Sequence, residues 1–274
     1  MTAAAKIALV HLVRKANGID PFKVFLKSYK DNPAGIPHDL IIIFKGFKNK
    51  NNQEYGDLLQ GIPHKSCFVV DIGFDIGPYF HAVRNFEYKY FVFLNSFCVI
   101  LSPDWLAKMY GQLIKPNVGA VGATGSWESA YTSALNLQVH RTFYRKFARR
   151  ANQLFLKRRF PPFPNYHLRT NAFMASRELL LKIKVPLILT KQDALRFESG
   201  VKGFTCQILE MNQRTLVIGR DGQPYEKENW LSSGTFRQGE QNNLLIADNK
   251  TNSYQLSDYD VRRYLSAAAW GSRS

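Results

Sequence analysis

The sequence is poor in cysteine. Its three cysteines, Cys67, Cys98 and Cys206, lie far apart and form no C-x-x-C pair, and two of them fall in apolar, strand-like runs. This spacing argues against a framework of disulfide bonds, which needs an even set of cysteines at characteristic spacings. The sequence therefore predicts buried free thiols in a reducing compartment.

Long apolar runs are also missing. No stretch approaches the roughly 20 apolar residues that a membrane-spanning helix needs. The first residues, MTAAAKIALVHLVRKANG, lead directly into a strand-like run, without a charged leader followed by an apolar stretch and a cleavage site. We therefore expect a cytoplasmic protein, peripheral at most to the inner face of the cell membrane.

Acidic residues are few relative to basic ones. The 274 residues include 37 lysines and arginines but only 21 aspartates and glutamates, which gives a formal charge of +16 and a pI near 9.8. Such a charge predicts an anionic partner, either a nucleotide, a nucleic acid or an acidic lipid. With 45% hydrophobic residues the chain can bury a substantial core, and we expect one domain over residues 1–274.

Strand-like and helical segments alternate along the first hundred residues. The predicted strands are KIALVHLV, HDLIIIFKGF, CFVVDIGF and KYFVFLNSFCVI, and the predicted helices between them are IDPFKVFLKSYKDN and DIGPYFHAVRNF, the second capped by Asp75. This β-α-β order predicts an α/β fold with a mainly parallel sheet and helices on both faces. Ligands of such sheets bind beyond the carboxyl ends of the strands.

The fourth predicted strand carries a family resemblance. Residues 91–106, FVFLNSFCVILSPDWL, resemble the strand and following turn of nucleotide-sugar glycosyltransferases with the GT-A fold, above all those of family 2. The resemblance implies a Rossmann-like half for the donor nucleotide-sugar (about 1–125), an acceptor and catalytic half (about 126–215) and a C-terminal lid or tail (about 216–274). Asn95 stands where the family has the first aspartate of its metal-binding D-x-D motif, so those carboxylates are missing.

The resemblance and the strand-end rule together nominate donor-binding residues. They are Arg14, Asn17, Lys45, Asp75, Asn95 and Ser96. Without the D-x-D motif, we expect arginine and lysine side chains to neutralise the donor diphosphate, and we assign no metal ligand. A divalent cation, manganese or magnesium, held by Asp71 or Asp75 with a distant histidine is the alternative. For Asn95 and Ser96 the alternative is a bulge or strand end without a ligand.

Two later segments are similar to those that shape the acceptor site in the family. They are NVGAVGATGSWES and FPNYHLRTNAFMASRELLLKI, and the candidates for acceptor or phosphate contacts are Trp127, Glu128, His167, Arg169, Thr170 and Asn171. Aromatic rings stack on sugar faces, and polar side chains bind sugar hydroxyls. Packing in the core is the alternative for Trp127, and a structural role is the alternative for the others.

The segment TKQDALRFESGVKG resembles the acidic pair that supplies the catalytic base of inverting family members. Gln192 replaces the glutamate of that pair, and Asp193 stands at the aspartate, so we predict Asp193 as the general base, with Glu198 in reserve. In the alternative reading, Asp193 caps a helix and Glu198 pairs with Arg196 or Lys202.

A basic segment and the C-terminal region complete the expectations. Residues 139–160 hold eight lysines and arginines and no acidic residue, with apolar residues at helical spacing. They predict an amphipathic helix that lies either on an anionic bilayer or on the domain itself. Beyond residue 215, Arg220, Trp230 and Arg237 are candidates for a lid over the donor.

The sequence favours a glycosyltransferase that moves a sugar from a nucleotide-sugar to a glycan or lipid-linked glycan, in polysaccharide biosynthesis for a cell envelope. Inversion is preferred because a base candidate is present. Two alternatives belong to other classes: a nucleic-acid-binding protein, supported by charge alone, and a glycosyltransferase-like protein that has lost catalysis with its metal carboxylates.

Overall fold

A computed structural model describes residues 6–48, 52–136 and 153–271 of the chain. The strands are β1 Ile7–Arg14, β2 Asp39–Lys45, β3 Lys65–Val69, β4 Tyr90–Leu94, β5 Val99–Ile100, β6 Val118–Gly122, β7 Gly125–Ser126, β8 His167–Leu168, β9 Ala172–Ser176, β10 Arg214–Ile218, β11 Pro224–Tyr225 and β12 Ile246–Ala247. The α-helices are α1 Asp20–Asp31, α2 Gln53–Leu58, α3 Ile76–Asn85, α4 Trp105–Leu113, α5 Ala130–Asn136, α6 Arg177–Lys182, α7 Lys191–Ser199, α8 Phe204–Glu210, α9 Asn249–Leu256 and α10 Tyr259–Trp270. Two 3-10 segments cover Lys15–Asn17 and Lys227–Ser232.

The centre of the fold is an eight-stranded sheet in the order β3-β2-β1-β4-β9-β6-β10-β11. Strands β1, β2, β3 and β4 are parallel, as are β6 and β10, whereas β9 runs antiparallel to both β4 and β6. Strand β11 is antiparallel to β10 at the edge. Because β9 runs in the opposite direction, its first residue lies beside the carboxyl ends of β4 and β6.

The sheet is apolar on both faces because each face is covered by helices. Along β1, Ala8, Val10 and Leu12 belong to one core with α3, α6, α7 and α8, and the alternating residues Ile7 and Leu9 belong to the other with α1, α2 and α4. Nearly continuous apolar runs such as KIALVHLV follow from burial on both faces. The predicted α/β class, with a mixed and mainly parallel sheet flanked by helices, is confirmed.

The fourth predicted strand is shorter than the sequence suggested. It ends at Leu94, and residues 95–98 turn the chain before β5, which pairs with β12 outside the main sheet. Asn95 Oδ1 accepts a hydrogen bond from the Phe97 backbone N–H at 3.0 Å, and Ser96 Oγ donates to the Leu12 carbonyl at 2.8 Å. These local bonds compete with strand pairing, so the polar pair marks a strand end.

The helix termini agree with the sequence in part. Ser176 caps α6 by accepting from the Leu179 N–H at 3.2 Å, and α10 ends at Gly271, whose φ is 88°. Asp75 occupies the N-cap position of α3, but its side chain makes no capping hydrogen bond, so that predicted cap is wrong.

Residues beyond β10 form an ordered layer on the edge of the sheet. Three indole N–H groups donate to backbone carbonyls of this layer at 2.8–2.9 Å. Trp230 donates to Tyr225 and Trp270 to Phe236 within the layer, and Trp127 donates to Lys227 from outside it. Trp230 is fully buried. Trp230, Phe236 and Trp270 belong to the same core as β1 and α3, so the region predicted as a lid or tail packs on the body of the domain.

Three further predictions from the sequence, on membrane spans, on the basic helix and on the cysteines, can be compared with the described residues. Within those residues no helix has the length and apolar content needed to cross a membrane. Of the predicted 139–160 helix, residues 139–152 lie outside the described ranges, and residues 153–157 are helical. All three cysteines are free, but only Cys98 is buried; Cys67 and Cys206 are half-buried, so the prediction of fully buried thiols is wrong for those two.

We expect a Gly125→Ala substitution to destabilise the protein by about 1–3 kcal/mol, because an added Cβ would lie 2.5 Å from the buried indole of Trp230. Urea unfolding measures the change. Gly111→Ala is the matched control: Gly111 lies in α4 with open space around it, so alanine should stabilise the helix by about 0.5–1 kcal/mol. Equal effects of the two substitutions would contradict this account.

Candidate functional site

Charged side chains converge where β1, β2 and β3 end. Arg14, the last residue of β1, donates from Nε to Asp71 Oδ1 at 2.9 Å and from Nη2 to Asp71 Oδ2 at 2.9 Å. Lys45, the last residue of β2, lies 3.3 Å from Asp71 Oδ1 and donates to the Phe74 carbonyl at 2.7 Å. Two of the predicted donor-binding residues therefore meet at Asp71, which follows β3.

A glycine makes this convergence possible. Gly46 directly follows Lys45, has a φ of +78°, and donates its N–H to the Val69 carbonyl at 2.9 Å. A Cβ at Gly46 would lie 3.1 Å from Asp71 Cβ. Because only glycine adopts this backbone conformation without strain and leaves that space open, the KGF turn keeps Asp71 beside Lys45.

The three charges perturb one another. The hydrogen bond from Arg14 is the largest cause that holds the pKa of Asp71 below its ordinary value, with a further contribution from Lys45. Burial lowers the pKa of Lys45, which is 3% exposed, and Asp71 opposes that shift. Both cations thus contact the same carboxylate, that of Asp71, and Arg14 is exposed enough to contact a ligand as well.

Asp75 lies beside this group at the start of α3. Its carboxylate makes no hydrogen bond to a described residue. Burial raises the pKa of Asp75, Lys45 opposes that shift, and the negative charge of Glu198 raises the pKa further. Asp75 and Glu198 therefore approach each other from α3 and from the end of α7, two helices that pack in the same core on one face of the sheet.

Glu198 is held by one of its two oxygens. Its Oε2 accepts the backbone N–H and the hydroxyl of Thr170, both at 2.7 Å. Among the described residues, Oε1 has no hydrogen-bond donor, and neither Arg196 nor Lys202 forms an ion pair with Glu198. The alternative reading, in which Glu198 pairs with Arg196 or Lys202, is therefore wrong, and the carboxylate is oriented with one oxygen available.

His167 lies in β8, close enough to Glu198 and Glu128 for both carboxylates to act on its pKa. Burial lowers the pKa of His167, and the two carboxylates only partly offset this, so the ring is neutral near pH 7. Its Nδ1 lies 2.8 Å from the Asn165 carbonyl, which can only accept. The proton therefore sits on Nδ1, and Nε2 keeps its lone pair.

A buried ion pair connects this region to the C-terminal layer. Arg169 Nη2 donates to Asp248 Oδ2 at 2.6 Å, and the two side chains are 11% and 1% exposed. Asp248 Oδ1 caps α9 by accepting the backbone N–H groups of Lys250 and Thr251. Burial would raise the pKa of Asp248, but Arg169 and the bonds from Thr251 outweigh burial and hold the pKa below its ordinary value.

Arg237 occupies a strained and incompletely bonded position. Its φ is 49°, its side chain is 10% exposed, and its Nη1 lies 3.4 Å from Glu128 Oε2. Its Nε is buried with no hydrogen-bond partner in residues 6–48, 52–136 and 153–271. The guanidinium groups of Arg237 and Arg169 both lie over the ring of Phe236, at 4.9 and 4.3 Å. Burial lowers the pKa of Arg237.

Other predicted residues are engaged in local structure. Trp127 packs edge-on against Phe163, Tyr166 and Trp270. Asn171 accepts from Thr124 through Oδ1, and its Nδ2 is buried without a partner among the described residues. Asn17 ends the 3-10 turn after β1.

Asp193 lies at the start of α7 and completes its capping box with Thr190. Asp193 Oδ2 accepts the Thr190 N–H at 2.9 Å and the Thr190 hydroxyl at 2.8 Å, while Thr190 Oγ1 accepts the Asp193 N–H. These bonds lower the pKa of Asp193, with Thr190 the largest cause. A capping contact is the alternative that the sequence offered for this residue.

Sequence reasoning named Asp71 only as an alternative metal ligand and did not select Asp248 as a site residue. D-x-x-T at 248–251 is a helix-start signal that predicts the cap of α9. The pairing of Asp248 with Arg169 joins residues 79 positions apart, and no local pattern indicates it.

The described residues do not assemble a metal site. They contain no group of three or more histidine, cysteine, aspartate or glutamate side chains placed to hold a metal ion. Asp71 is taken by Arg14 and Lys45, and Asn95 Oδ1 accepts from Phe97 N–H and Cys98 Sγ. Hard divalent cations need several free oxygen ligands, and Asp71 and Asn95 do not supply them. Asp75 makes no hydrogen bond to a described residue, but it does not belong to a described group of three such side chains.

Comparison with known proteins finds likeness to solved structures only. No protein-family model matches the chain, and no curated protein sequence matches it. A mannosyltransferase from Pyrobaculum calidifontis, in complex with GDP-Man and Mn2+, is 14% identical with a TM-score of 0.49, and the match covers 79% of this chain and 55% of that one.

Two further solved structures are similar at comparable levels. Glucosyl-3-phosphoglycerate synthase from Mycobacterium tuberculosis, with Mn2+, UDP and its product, is 14% identical with a TM-score of 0.41, over 75% of this chain and 63% of that one. A 4-diphosphocytidyl-2C-methyl-D-erythritol synthase from Anaerococcus prevotii is 10% identical with a TM-score of 0.44, over 79% and 89%. The chain thus spans less than two thirds of the length of both glycosyl-transferring proteins.

We expect Asp248→Asn to destabilise the protein by about 3–5 kcal/mol, because it leaves the Arg169 guanidinium buried without a counter-charge while the amide still caps α9. Urea unfolding measures the loss. Adding Arg169→Met should recover part of it, since both charges are then absent. Glu240→Gln, which breaks the more exposed pair with Arg262, should cost less than about 1 kcal/mol. A strictly additive double variant would contradict the pairing.

The same pair predicts a loss of stability in acid. The pKa of folded Asp248 is depressed, so its contribution is present above the unfolded pKa, about 3.9, and is lost as the pH falls towards the folded pKa. Between about pH 5 and pH 3, wild-type stability should therefore fall more steeply than that of Asp248→Asn. Urea midpoints across this range test it; parallel slopes would refute the assignment to Asp248.

Proposed function

We propose that this protein is a glycosyltransferase that moves a sugar from a nucleotide-sugar donor to a glycan or lipid-linked glycan. The observation that carries the proposal is the convergence of Arg14, Lys45, Asp75 and Glu198 where β1, β2 and β4 end and β9 begins. In open α/β sheets this edge is where ligands bind, and the order β3-β2-β1-β4 puts the switch in strand order between β1 and β4. The sugar-nucleotide class comes from the family resemblance of residues 91–106.

Glu198 is the general base in this proposal. Thr170 fixes one carboxylate oxygen, so the other can take the proton from an acceptor hydroxyl. The acceptor oxygen then forms a bond to the anomeric carbon while the bond from that carbon to the diphosphate breaks. The nucleoside diphosphate leaves with the bonding electrons from the opposite face, so the configuration inverts.

Asp193, the base expected from the sequence, is the second candidate. Its Oδ2 accepts from the Thr190 side chain and the backbone of residues 189 and 190, and its pKa is depressed, so it is a weak proton acceptor. A base works best when its pKa lies near the working pH. The hydrogen bonds on Asp193 Oδ2 and the depressed pKa of Asp193 therefore favour Glu198 as the general base.

We expect Glu198→Gln to lower the rate of sugar transfer, or of donor hydrolysis, by about 10²- to 10⁴-fold, since the amide can still accept from Thr170 but cannot take a proton. Release of nucleotide from UDP-, GDP-, TDP- and CMP-sugars measures the rate. Asp193→Asn should keep the rate within about threefold. The reverse pattern, with loss only in Asp193→Asn, would return the assignment to Asp193.

Arg14 and Lys45 hold the donor diphosphate in this proposal. In the free protein both cations are bonded to Asp71, so the diphosphate takes the place of that carboxylate. Arginine suits this exchange because its fork of N–H donors matches either anion. The described residues supply no metal site, and we propose that binding proceeds without manganese or magnesium.

We expect nucleoside diphosphate binding to survive EDTA and to weaken about 10- to 100-fold in Arg14→Met, the loss of a charged hydrogen bond worth about 1.5–3 kcal/mol. Asp71→Asn should tighten binding, because it removes the competing carboxylate. Asp39→Asn, at the amino end of β2, is the matched control and should change nothing. Calorimetric titration measures all four proteins. Weaker binding by Asp71→Asn, together with a requirement for manganese, would overturn the metal-free account.

The remaining assignments complete the proposal. Residues 1–125 form the donor half, residues 126–215 the acceptor half with Glu128, His167 and Arg169, and residues 216–274 the region that closes over them through Arg237. We propose a cytoplasmic protein of cell-envelope polysaccharide synthesis, and the free thiols suit that compartment. The basic 139–160 segment is proposed to contact the inner face of the membrane.

A further inference from the structure

A basic cavity of about 710 Å³ lies between the α6–α7 loop, the second half of α7 and α8. Six cationic side chains line it: Arg158, Arg159, Lys182, Lys184, Arg196 and Lys202. Glu210 is the one acidic residue in the same lining. Among the described residues, four of the six cations form no ion pair, and the other two pair with neighbours on their own helices. With the two paired cations set aside, the cavity carries a net charge of about +3.

An apolar groove of about 470 Å³ adjoins this cavity, and both are lined by Val185 and Pro186. Its walls carry unusually exposed aliphatic side chains: Leu187 is 77% exposed, Val70 67%, Ile72 64% and Leu189 63%. Aliphatic side chains this exposed on two neighbouring segments form a patch that needs an explanation.

The exposed leucines stand on a fixed loop. Ile183 and Ile188 are buried on either side of Pro186 and anchor the loop in the core. Gln207 bonds it at Lys184, accepting the N–H at 2.7 Å and donating to the carbonyl at 3.1 Å. At the other end, the Leu189 N–H donates to Asp193. The loop is thus anchored at both ends, and it keeps the side chains of Leu187 and Leu189 exposed to water.

We propose that this basic cavity and apolar groove together form a docking surface for an anionic phospholipid bilayer. The lipid phosphates bind the cations of the cavity, and the leucines enter the boundary between headgroups and acyl chains. Charge complementarity selects this occupant: four unpaired cations lie directly beside aliphatic side chains, which matches the two layers of an anionic membrane surface. A soluble polyphosphate would leave the leucines in water.

The surface shares Arg158 and Arg159 with the basic 139–160 segment, and it does not depend on the glycosyltransferase assignment. None of the side chains that line the cavity or the groove is proposed to contact donor or acceptor. Vesicle binding can therefore fail while nucleotide binding succeeds, and the converse holds too.

Flotation of the full chain with vesicles tests the proposal. We expect binding to vesicles of phosphatidylcholine mixed with phosphatidylglycerol, little binding to phosphatidylcholine alone, and loss of binding at high salt. Lys184→Gln with Lys202→Gln should weaken the binding about 25-fold, at about fivefold for each charge near the surface. Leu187→Ser with Leu189→Ser should weaken it at least about tenfold.

Matched controls lie on other surfaces. Lys23→Gln with Lys30→Gln removes two charges from α1, which covers the opposite face of the sheet, and Leu256→Ser removes a leucine that is 87% exposed. Neither should change vesicle binding by more than about twofold. Circular dichroism and urea unfolding confirm that every variant is folded.

Three outcomes would overturn the proposal. In the first, vesicle binding is unaffected by both pairs of substitutions, which would give the membrane contact to another segment. In the second, the lysine pair reduces binding to inorganic tripolyphosphate while the leucine pair leaves vesicle binding intact, which would make the cavity a site for soluble phosphates. In the third, sedimentation shows a dimer that Leu187→Ser disrupts, which would make the groove an interface between two copies.

Discussion

The buried ion pair between Arg169 and Asp248 is the interaction on which the candidate site depends. Arg169 lies between β8 and β9, and Asp248 caps α9 in the C-terminal layer, so one contact joins the sheet to the segment that covers its edge. Each partner has other bonds: Asp248 accepts from two backbone N–H groups, and Arg169 lies over the ring of Phe236. Because both partners make these further contacts, the ion pair fixes the C-terminal layer against the sheet even where its net contribution to the free energy of unfolding is small.

The direction of β9 explains why polar groups gather at this edge. A parallel strand would place its amino end at the far side of the sheet, whereas antiparallel β9 begins beside the carboxyl end of β4. The residues just before it, Thr170 and Asn171, therefore lie next to the turn that follows Leu94, and Asn95 donates its N–H to the Asn171 carbonyl at 2.9 Å. Thr170 in turn orients Glu198, so strand direction and the position of the carboxylate are linked.

Local sequence signals predicted the elements better than the contacts between them. Periodicity and strand-end reasoning gave the parallel strands and the approach of Arg14 to Lys45, because parallel neighbours end together by geometry. The early end of β4 was missed, since the side-chain bonds of Asn95 and Ser96 outweigh the apolar run around them. The bond of Glu198 to Thr170 spans 28 positions, and no spacing rule selects such a partner.

The net charge of the chain says little about the site itself. There, four cations (Arg14, Lys45, Arg169 and Arg237) face five carboxylates (Asp71, Asp75, Glu128, Glu198 and Asp248), so the surplus of +16 lies elsewhere. Part of it lines the cavity beside α7. That helix begins at Lys191, two residues after Leu189, and Glu198 lies near its end, roughly 10 Å along the helix axis at about 1.5 Å per residue. A bilayer on the leucine loop would thus lie close enough to Glu198 for a lipid-linked acceptor to reach it without leaving the membrane.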